Sequence, residues 1–297
     1  MRSCPYSGDA VITFRAFLVI QGLVERLPRR AGYALAIVGA RFAFLFARRA
    51  RGRLEENLHI ALPQLSGAEV RAIAWRNFRN HSKAYIDLMR LPMARVEDLR
   101  PLLRVSGQEN LEVARARGCG VLVVSAHMGS WEVAAAIWSA TTAPVCLFAE
   151  ELEPPEMFDW YRSTRQRLGI SVLPLNLGGL RQVVKALKNG EIVVTAIDRD
   201  LIGTGPVTEF FSHRARIPAG PAELALRNGT PILPVVVYRL PDDTFQAVGY
   251  PPIFPQPTAD HEGDVLRINR ELVAHLETII RAHPDQWHLP HTIFLSD

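Results

Sequence analysis

The chain has 297 residues, 48% of them apolar, so it can bury a sizeable core and is not an intrinsically disordered chain. Its net charge is only +4, with arginine in excess of lysine, and it carries no long basic run or motif that would indicate a nucleic-acid partner. The three cysteines are scattered, which predicts no disulfide framework and suits a reducing compartment.

Residues 10–50 predict two helices with apolar faces and arginines at their edges. The apolar positions are Phe14, Phe17, Leu18 and Leu23 in the first helix and Phe42, Phe44, Leu45 and Phe46 in the second. Charged residues keep each uncharged run short of the roughly 20 residues that a membrane-spanning helix needs, and Arg15 interrupts any secretory signal. Two interpretations remain open: the helices pack on the domain, or they lie in a membrane interface where the basic cluster 48–53 meets anionic lipid head groups.

A capping box from Ser66 to Glu69 predicts the start of a long helix that Pro92 closes. On this helix, His81 is expected to be a surface or packing residue. Further along, helical pieces alternate with short apolar runs at 120–126, 144–148, 170–174, 191–197 and 231–238, and a last helix covers about 264–282. This alternation predicts an α/β domain with a central, mainly parallel sheet at 105–297, preceded by a helical, membrane-associating region at 1–104.

The stretch around His127 is the strongest candidate site. His127 follows the apolar run at 121–124 and precedes a predicted helix at 133–140, so it lies where a strand ends and a helix begins. Gly129 allows close approach of a ligand to the backbone, and the helix start supplies free N–H groups. Histidine is the natural general base near neutral pH if a carboxylate fixes its tautomer. Glu132 and Asp198, which ends the predicted strand at 191–197, are both candidates for that carboxylate.

The segment from Asp198 to Pro221 is a second candidate, because it is long and irregular within a compact domain. Its arginines, among them Arg199 and Arg216, suit the binding of phosphates or an oxyanion. Phe210 and Phe211 either wall an acyl channel or belong to the core. The chain has no Gly-x-Ser-x-Gly elbow, Walker loop, Gly-x-Gly-x-x-Gly motif or zinc-type Cys/His spacing, which argues against the corresponding enzyme classes.

The stretch from Ala126 to Glu132 carries a His-x-x-x-x-acid motif that resembles that of the glycerolipid acyltransferase superfamily. It is similar to the branch that holds lipid A late acyltransferases and phosphatidylinositol mannoside acyltransferases. Other stretches that resemble this branch are Asp198-Arg199-Asp200, Glu209-Phe210-Phe211, 217–221 and 284–288. The resemblance covers nearly the whole chain and leans toward the mannoside enzymes, although Glu132 stands where those have aspartate and Asp198 where they have glutamate.

The resemblance implies a membrane-associated O-acyltransferase that moves a fatty acyl chain from acyl-CoA or acyl carrier protein to a hydroxyl of a glycolipid. His127 would deprotonate the hydroxyl, which would attack the thioester directly, and amides near Gly129 and Ser130, or Arg199, would hold the oxyanion. Arg165 is expected either to contact phosphates of the acyl donor or to be a surface arginine on a helix at 155–168. The alternatives are a lipid A late acyltransferase, a lipid-binding protein of the same fold without turnover, and a hydrolytic variant that uses water.

The expected site residues can be stated by role. The catalytic residues are His127, Glu132 and Asp198, and the substrate-binding residues are Gly129, Ser130, Trp131, Arg165, Arg199, Phe211 and Arg216. No metal and no cofactor is expected beyond the acyl donor as co-substrate. The implied partners are membrane lipids, with monotopic or peripheral association at the cytoplasmic face of the inner membrane.

Overall fold

The computed structural model describes residues 9–200 and 203–295, and its front section is helical. The helices there are α1 (Asp9–Arg26), α2 (Arg29–Phe46), α3 (Arg48–Ala61) and α4 (Gly67–Arg90), followed by short helical turns at Leu91–Met93, α5 (Val96–Leu99) and Arg100–Leu102. The predicted capping box is confirmed, since Ser66 Oγ accepts a hydrogen bond from the Glu69 amide and Glu69 accepts one from the Ser66 amide at 2.9 Å.

A seven-stranded, mainly parallel sheet forms the centre of the molecule. The strands of the described chain are β1 (Leu103–Ser106), β2 (Val121–Ser125), β3 (Val145–Ala149), β4 (Ile170–Pro174), β5 (Ile192–Ala196), β6 (Val207–Phe210), β7 (His213–Arg216), β8 (Ile232–Arg239) and β9 (Phe245–Gly249). The order across the sheet is β1-β9-β8-β2-β5-β3-β4, and only the β8–β9 pair is antiparallel. The predicted α/β class and all five predicted strands are confirmed.

Helices cover both faces of the sheet because its central strands are apolar on both faces. In β2, Val121 and Val123 contribute to one face and Leu122 and Val124 to the other, and all four are buried. On the first face lie α6 (Gln108–Arg115), α7 (Trp131–Thr141) and α8 (Pro155–Gln166), and on the second α9 (Leu177–Lys188), α10 (Gly220–Asn228) and α11 (His261–Ala282). Helices α3 and α4 join the second face, so the region predicted as 1–104 shares a core with the sheet.

The segment from Asp198 to Pro221 is more regular than its sequence indicated. Strands β6 and β7 pair as an antiparallel hairpin that packs on α11. Phe210 and Phe211 are both buried against Trp287 and belong to the core. The expectation of a long irregular segment is corrected here, because alternating burial along β6 stabilises it as a strand.

A buried polar network joins α2 and α4 to β8. The Tyr33 hydroxyl donates to Asp87 at 2.5 Å and accepts hydrogen bonds from Arg239 at 2.9 Å and from Arg29 at 2.7 Å. Arg239 also pairs directly with the Asp87 carboxylate. Burial, followed by the charge of Asp87, raises the pKa of Tyr33, so the phenol stays protonated. The front helices are therefore fixed to the sheet by charge pairing as well as by apolar packing.

Helices α1 and α2 expose apolar side chains. These are Leu18, Val19, Ile20 and Leu23 on α1 and Leu35, Val38, Phe42, Leu45 and Phe46 on α2. Among the described helices none is by itself long and apolar enough to cross a membrane, and only α2 taken together with α3, across an 89° bend, meets the length and composition such a crossing requires. The opposite face of α2, with Tyr33 and Ala36, is buried on the protein.

The chain returns to the sheet after α11, and asparagines of the front helices hold it there. Asn57 donates to the carbonyls of Leu289 and His291 at 2.8 and 2.9 Å, and Asn77 donates to the carbonyl of Trp287 at 2.7 Å. The same returning segment pairs with the stretch after β2 through a bridge between Met128 and Trp287. Trp287 is thereby brought to the carboxyl edge of the sheet.

Candidate active site

His127 and Asp198 meet at the carboxyl edge of the sheet because they follow two neighbouring parallel strands. Strands β2 and β5 are paired in register through Ser125 and Ala196, so the residues after each strand lie side by side. His127 Nδ1 is 2.6 Å from Asp198 Oδ1. Asp198 Oδ2 accepts the backbone N–H of His127 at 3.0 Å and the indole N–H of Trp287 at 2.8 Å. The carboxylate is thus held by three hydrogen bonds.

The electrostatics of this pair favour a charged carboxylate beside a basic imidazole. The charge of Asp198 raises the pKa of His127, and burial opposes the shift. Burial alone would raise the pKa of Asp198, but the attraction of His127 and the hydrogen bonds from His127 and Trp287 lower it. The side chain of Asp198 is fully buried, whereas that of His127 is 43% exposed. With Nδ1 committed to Asp198, Nε2 is the nitrogen that can accept a proton from a bound hydroxyl.

The backbone after His127 is tightly constrained. Gly129 has φ of 58°, and a Cβ atom there would collide with the carbonyl of Val237 on β8, so only glycine fits. The Gly129 N–H donates to the Gln286 carbonyl at 3.3 Å, and the His288 N–H donates to the His127 carbonyl at 3.0 Å. Ser130 is buried and immediately precedes the first turn of α7. The Gly129 amide, one of the expected oxyanion donors, is therefore bonded within the protein.

Glu132 pairs with Arg165 rather than with His127. The Arg165 guanidinium donates to Glu132 at 2.8 Å and to the Tyr161 carbonyl at 3.2 Å, and it is fully buried against the rings of Tyr161 and Trp131. Burial raises the pKa of Glu132, and the charge of Arg165 partly offsets it. Of the two acids left open by the sequence, Asp198 is the one that contacts His127. Arg165 lies in the interior, not on the surface of α8.

A cavity of about 220 Å³ opens beside His127. It is lined by Asn80, His81, Ala84, Tyr85, Leu88, His127, Met128, Gly129, Trp131, Glu132, Tyr161, Arg165, Arg239, Gln286 and His288. His81 and His288 stack with their ring centroids 3.4 Å apart, and burial lowers the pKa of His81 to about 4, so its ring is neutral. Helix α4 thus forms one wall of the site. His81 packs against another side chain, as one of its two expected roles, and it also lines the cavity, which the sequence did not indicate.

Three expected substrate-binding residues, Arg199, Phe211 and Arg216, are not among the described residues that line this cavity. Arg199 donates to Glu150 at 2.9 Å and approaches His291 Nε2 at 3.2 Å. Phe211 is packed in the core, and Arg216 is exposed and donates to the Gly205 carbonyl at 3.0 Å. In residues 9–200 and 203–295, no group of three or more His, Cys, Asp and Glu side chains is arranged to hold a metal ion.

Sequence reasoning missed the support that Trp287, His288 and Asn77 give to the site. The Asn77 side chain holds both the Trp287 carbonyl and the His288 ring, whose Nδ1 is 2.6 Å from Asn77 Oδ1. The stretch 284–288 carries a resemblance in the sequence, but the hydrogen bond from Trp287 to Asp198 joins residues that lie far apart along the chain.

The α/β fold, with a His-x-x-x-x-Glu motif opening a helix at the carboxyl edge and an Asp-supported histidine, is the arrangement expected of an acyltransferase. Comparison with known proteins bears this out. The chain belongs to the bacterial lipid A biosynthesis acyltransferase family, whose family model matches residues 8–296. The resemblance described from the sequence is thereby confirmed.

The curated relatives fall in the two groups that the resemblance indicated. A phosphatidylinositol mannoside acyltransferase of Mycobacterium tuberculosis (strain CDC 1551 / Oshkosh) is 29% identical, covering 92% of this chain and 86% of its own length. The protein of that name from Mycolicibacterium smegmatis is 27% identical, covering 93% and 89%. The lipid A biosynthesis lauroyltransferase of Escherichia coli K12 is 28% identical, covering 99% and 96%.

Proposed function

We propose that this acyltransferase moves a fatty acyl chain from a thioester to a hydroxyl of a glycolipid, with His127 as the general base. The observation that carries the proposal is the 2.6 Å contact between His127 Nδ1 and Asp198, which fixes the tautomer and leaves Nε2 for the substrate. Asp198 stays ionised and stabilises the imidazolium that forms when the hydroxyl loses its proton.

The reaction proceeds by direct transfer. Nε2 of His127 takes the proton as the hydroxyl oxygen attacks the thioester carbonyl, and the tetrahedral intermediate then expels the thiolate, which takes the proton from His127. The described residues that line the cavity include no serine, cysteine or lysine, so the lining supplies no ordinary acyl-enzyme nucleophile. The developing oxyanion is held near Ser130, at the start of α7, where helix N–H groups and the positive end of the helix dipole lie.

The donor is an acyl thioester of CoA or of acyl carrier protein. Ala84, Leu88 and Met128 give the cavity beside His127 an apolar wall that suits the acyl chain near its carbonyl. The acceptor is a phosphatidylinositol mannoside-type glycolipid, as the names of the mycobacterial relatives indicate. A lipid A precursor is the second candidate, because the lauroyltransferase relative is nearly as similar and covers 99% of this chain.

The enzyme works at a membrane surface, as a monotopic or peripheral protein on the cytoplasmic face of the inner membrane. The exposed apolar residues of α1 and α2 support this, since exposed Arg48 and Arg49 follow α2 in the chain within three residues of its end. Apolar side chains would enter the acyl boundary while the arginines meet anionic head groups.

The test is acyl transfer from radiolabelled acyl-CoA or acyl carrier protein to mannoside and lipid A precursor acceptors in anionic vesicles. We expect His127→Ala to lower the rate by at least about 100-fold, because a general base contributes about 100- to 10,000-fold. His59→Ala, at an exposed histidine on α3, is the matched control and should retain full activity. Full activity of His127→Ala would rule out the mechanism, and release of free fatty acid without acylated lipid would indicate hydrolysis.

A further inference from the structure

A basic cluster lies next to the His127–Asp198 pair, separate from the residues that line the cavity. We propose that Arg53, Arg199 and His291 form a binding site for a phosphate group, which anchors the anionic part of a substrate while its reacting group is at His127. The identity of that substrate rests on the proposed acyl transfer, whereas the site itself rests on the contacts of these three residues.

Arg199 ties the cluster to the candidate active site. It directly follows Asp198, and its guanidinium reaches His291 Nε2 at 3.2 Å and Glu150 at 2.9 Å. The N–H of Arg199 donates in the first contact, so His291 accepts at Nε2 and is neutral. Within the described chain, the Nε atom of Arg199 is buried without a hydrogen-bond partner. The guanidinium is therefore incompletely satisfied and only one of its contacts is to an anion.

Arg53 approaches the same place from helix α3. Asn57, four residues later, donates to the carbonyl of His291 at 2.9 Å, so this face of α3 meets the returning C-terminal segment. Residues four apart lie on one face of a helix, so Arg53 is one turn from Asn57 on the face that contacts the C-terminal segment, and its charge acts on His291. Arg53 is exposed, and no carboxylate of the described residues forms an ion pair with it. Its charge is available to a ligand.

The lowered pKa of His291 is consistent with positive charge around its ring. Burial, followed by the charges of Arg199 and Arg53, lowers the pKa of His291. An anion bound among the three side chains would offset those charges and raise this pKa again. The pKa of His291 can therefore be measured to detect an anion bound at the site.

Phosphate is the ligand chemistry that fits these groups. The guanidinium groups of Arg53 and Arg199 carry N–H donors of the kind that match phosphate oxygens, and because Glu150 is the one carboxylate paired with Arg199 in the described chain, the cluster keeps a net positive charge. The proposed reaction offers phosphate from two sources: the phosphodiester of an anionic glycolipid acceptor and the phosphates of a CoA or carrier-linked donor. Both would present the same group beside His127.

Kinetics with phosphate-free substrates separate the two sources. We compare the wild type with Arg53→Gln, and we use Arg95→Gln as the control because Arg95 is a highly exposed arginine before α5. Each protein is assayed with acyl-CoA against an acyl N-acetylcysteamine thioester, and with a phosphate-bearing glycolipid against a neutral glycosyl diacylglycerol.

We expect Arg53→Gln to raise the KM about tenfold for the phosphate-bearing member of one pair only, with little change in kcat, as for the loss of one charge-assisted hydrogen bond. An effect confined to the acceptor pair assigns the site to the lipid head group, and one confined to the donor pair assigns it to the thioester. An unchanged KM throughout, or an equal rise with phosphate-free substrates, would overturn the site.

A measurement without turnover separates this site from the catalytic proposal. The His291 ring is titrated by NMR with inorganic phosphate and, at equal ionic strength, with chloride. We expect phosphate to raise the pKa of His291 in the wild type and to have a smaller effect in Arg53→Gln. Equal responses to both salts would refute the site. A phosphate response in a protein that transfers no acyl chain would preserve the site while removing the proposed function.

Discussion

At the residue scale, the chemistry of the site depends on how many partners Asp198 has. Its two oxygens accept hydrogen bonds from the His127 ring, the His127 amide and the Trp287 indole, and the side chain has no exposure to solvent. A buried carboxylate is stable in its charged form only when it is paired and hydrogen-bonded in this way. Asp198 therefore both orients the His127 ring and raises its pKa.

Replacing Asp198 by Asn should change both the rate and its dependence on pH. The base acts when neutral, so activity rises with pH through the pKa of His127, which Asp198 holds above the ordinary 6.5. Asp198→Asn removes the charge, and we expect the acid limb of kcat/KM to move to lower pH while the maximum falls by about 100- to 10,000-fold. An acid limb that stays in place, measured from pH 5 to 9, would contradict the assignment of Asp198.

The partner of Glu132 could not be predicted from the sequence. The five-residue spacing from His127 suggested a partner, but Glu132 lies in the first turn of α7 and its carboxylate is bonded to Arg165. Spacing along the chain predicts that residues share a region, and it does not predict the direction of a side chain. The pairing of β2 with β5, which brings Asp198 to His127, is a tertiary contact that no local pattern encodes.

At the scale of elements, the strand-and-helix alternation predicted the central sheet well. The five buried strands are mostly apolar runs, with polar residues such as Ser171 in β4 and Thr195 in β5, and such runs are visible in the sequence. Strands β1 and β9 escaped prediction because β1 is short and largely exposed and β9 alternates only weakly. The sequence also did not predict that α4 lines the cavity. A stripe of apolar residues along a helix predicts that one face is buried, but not which part of the protein that face contacts.

We expect the hydrogen bonds of Asn77 on α4 to the C-terminal segment to be needed for full activity. Asn77→Ala removes the amide that holds the Trp287 carbonyl and the His288 ring. We expect it to lower the free energy of unfolding by about 2–3 kcal/mol, because buried polar groups lose their partners, and to lower kcat through Trp287 and Asp198.

Asn228→Ala is the matched control, since within the described chain the Asn228 side chain donates only to the Leu224 carbonyl of its own helix, α10. Urea denaturation and kcat would be measured together on both variants. An Asn77→Ala protein that loses stability while keeping full kcat would mean that the segment is structural and does not position Asp198.

At the scale of the whole molecule, the exposed apolar residues of α1 and α2 and the basic start of α3 lie next to one another in the chain. Exposed apolar side chains and exposed arginines that are close in the sequence are expected to bind an anionic bilayer through apolar insertion and charge together. The rest of the described surface also has single exposed apolar residues, such as Val113, which are ordinary in proteins.

Membrane binding should therefore be sensitive to the aromatic pair on α2. We expect the double variant Phe42→Ser and Phe46→Ser to bind anionic vesicles at least roughly 100-fold more weakly, since burial of each phenylalanine side chain is worth about 1.5–3 kcal/mol. Val113→Ser, at an exposed position on α6, is the control. Equal sedimentation of all three proteins with vesicles would exclude α2 as the binding surface.

The Tyr33–Asp87–Arg239 network has a practical consequence for anyone preparing this enzyme without detergent. Deleting α1 and α2 to improve handling would remove Tyr33. The buried Arg239–Asp87 pair would then lose the hydroxyl that hydrogen-bonds to both of its members. A shortened chain would then misfold or aggregate instead of behaving as a trimmed catalyst, so solubilising changes belong on the outward side of α2, at Leu35 or Val38.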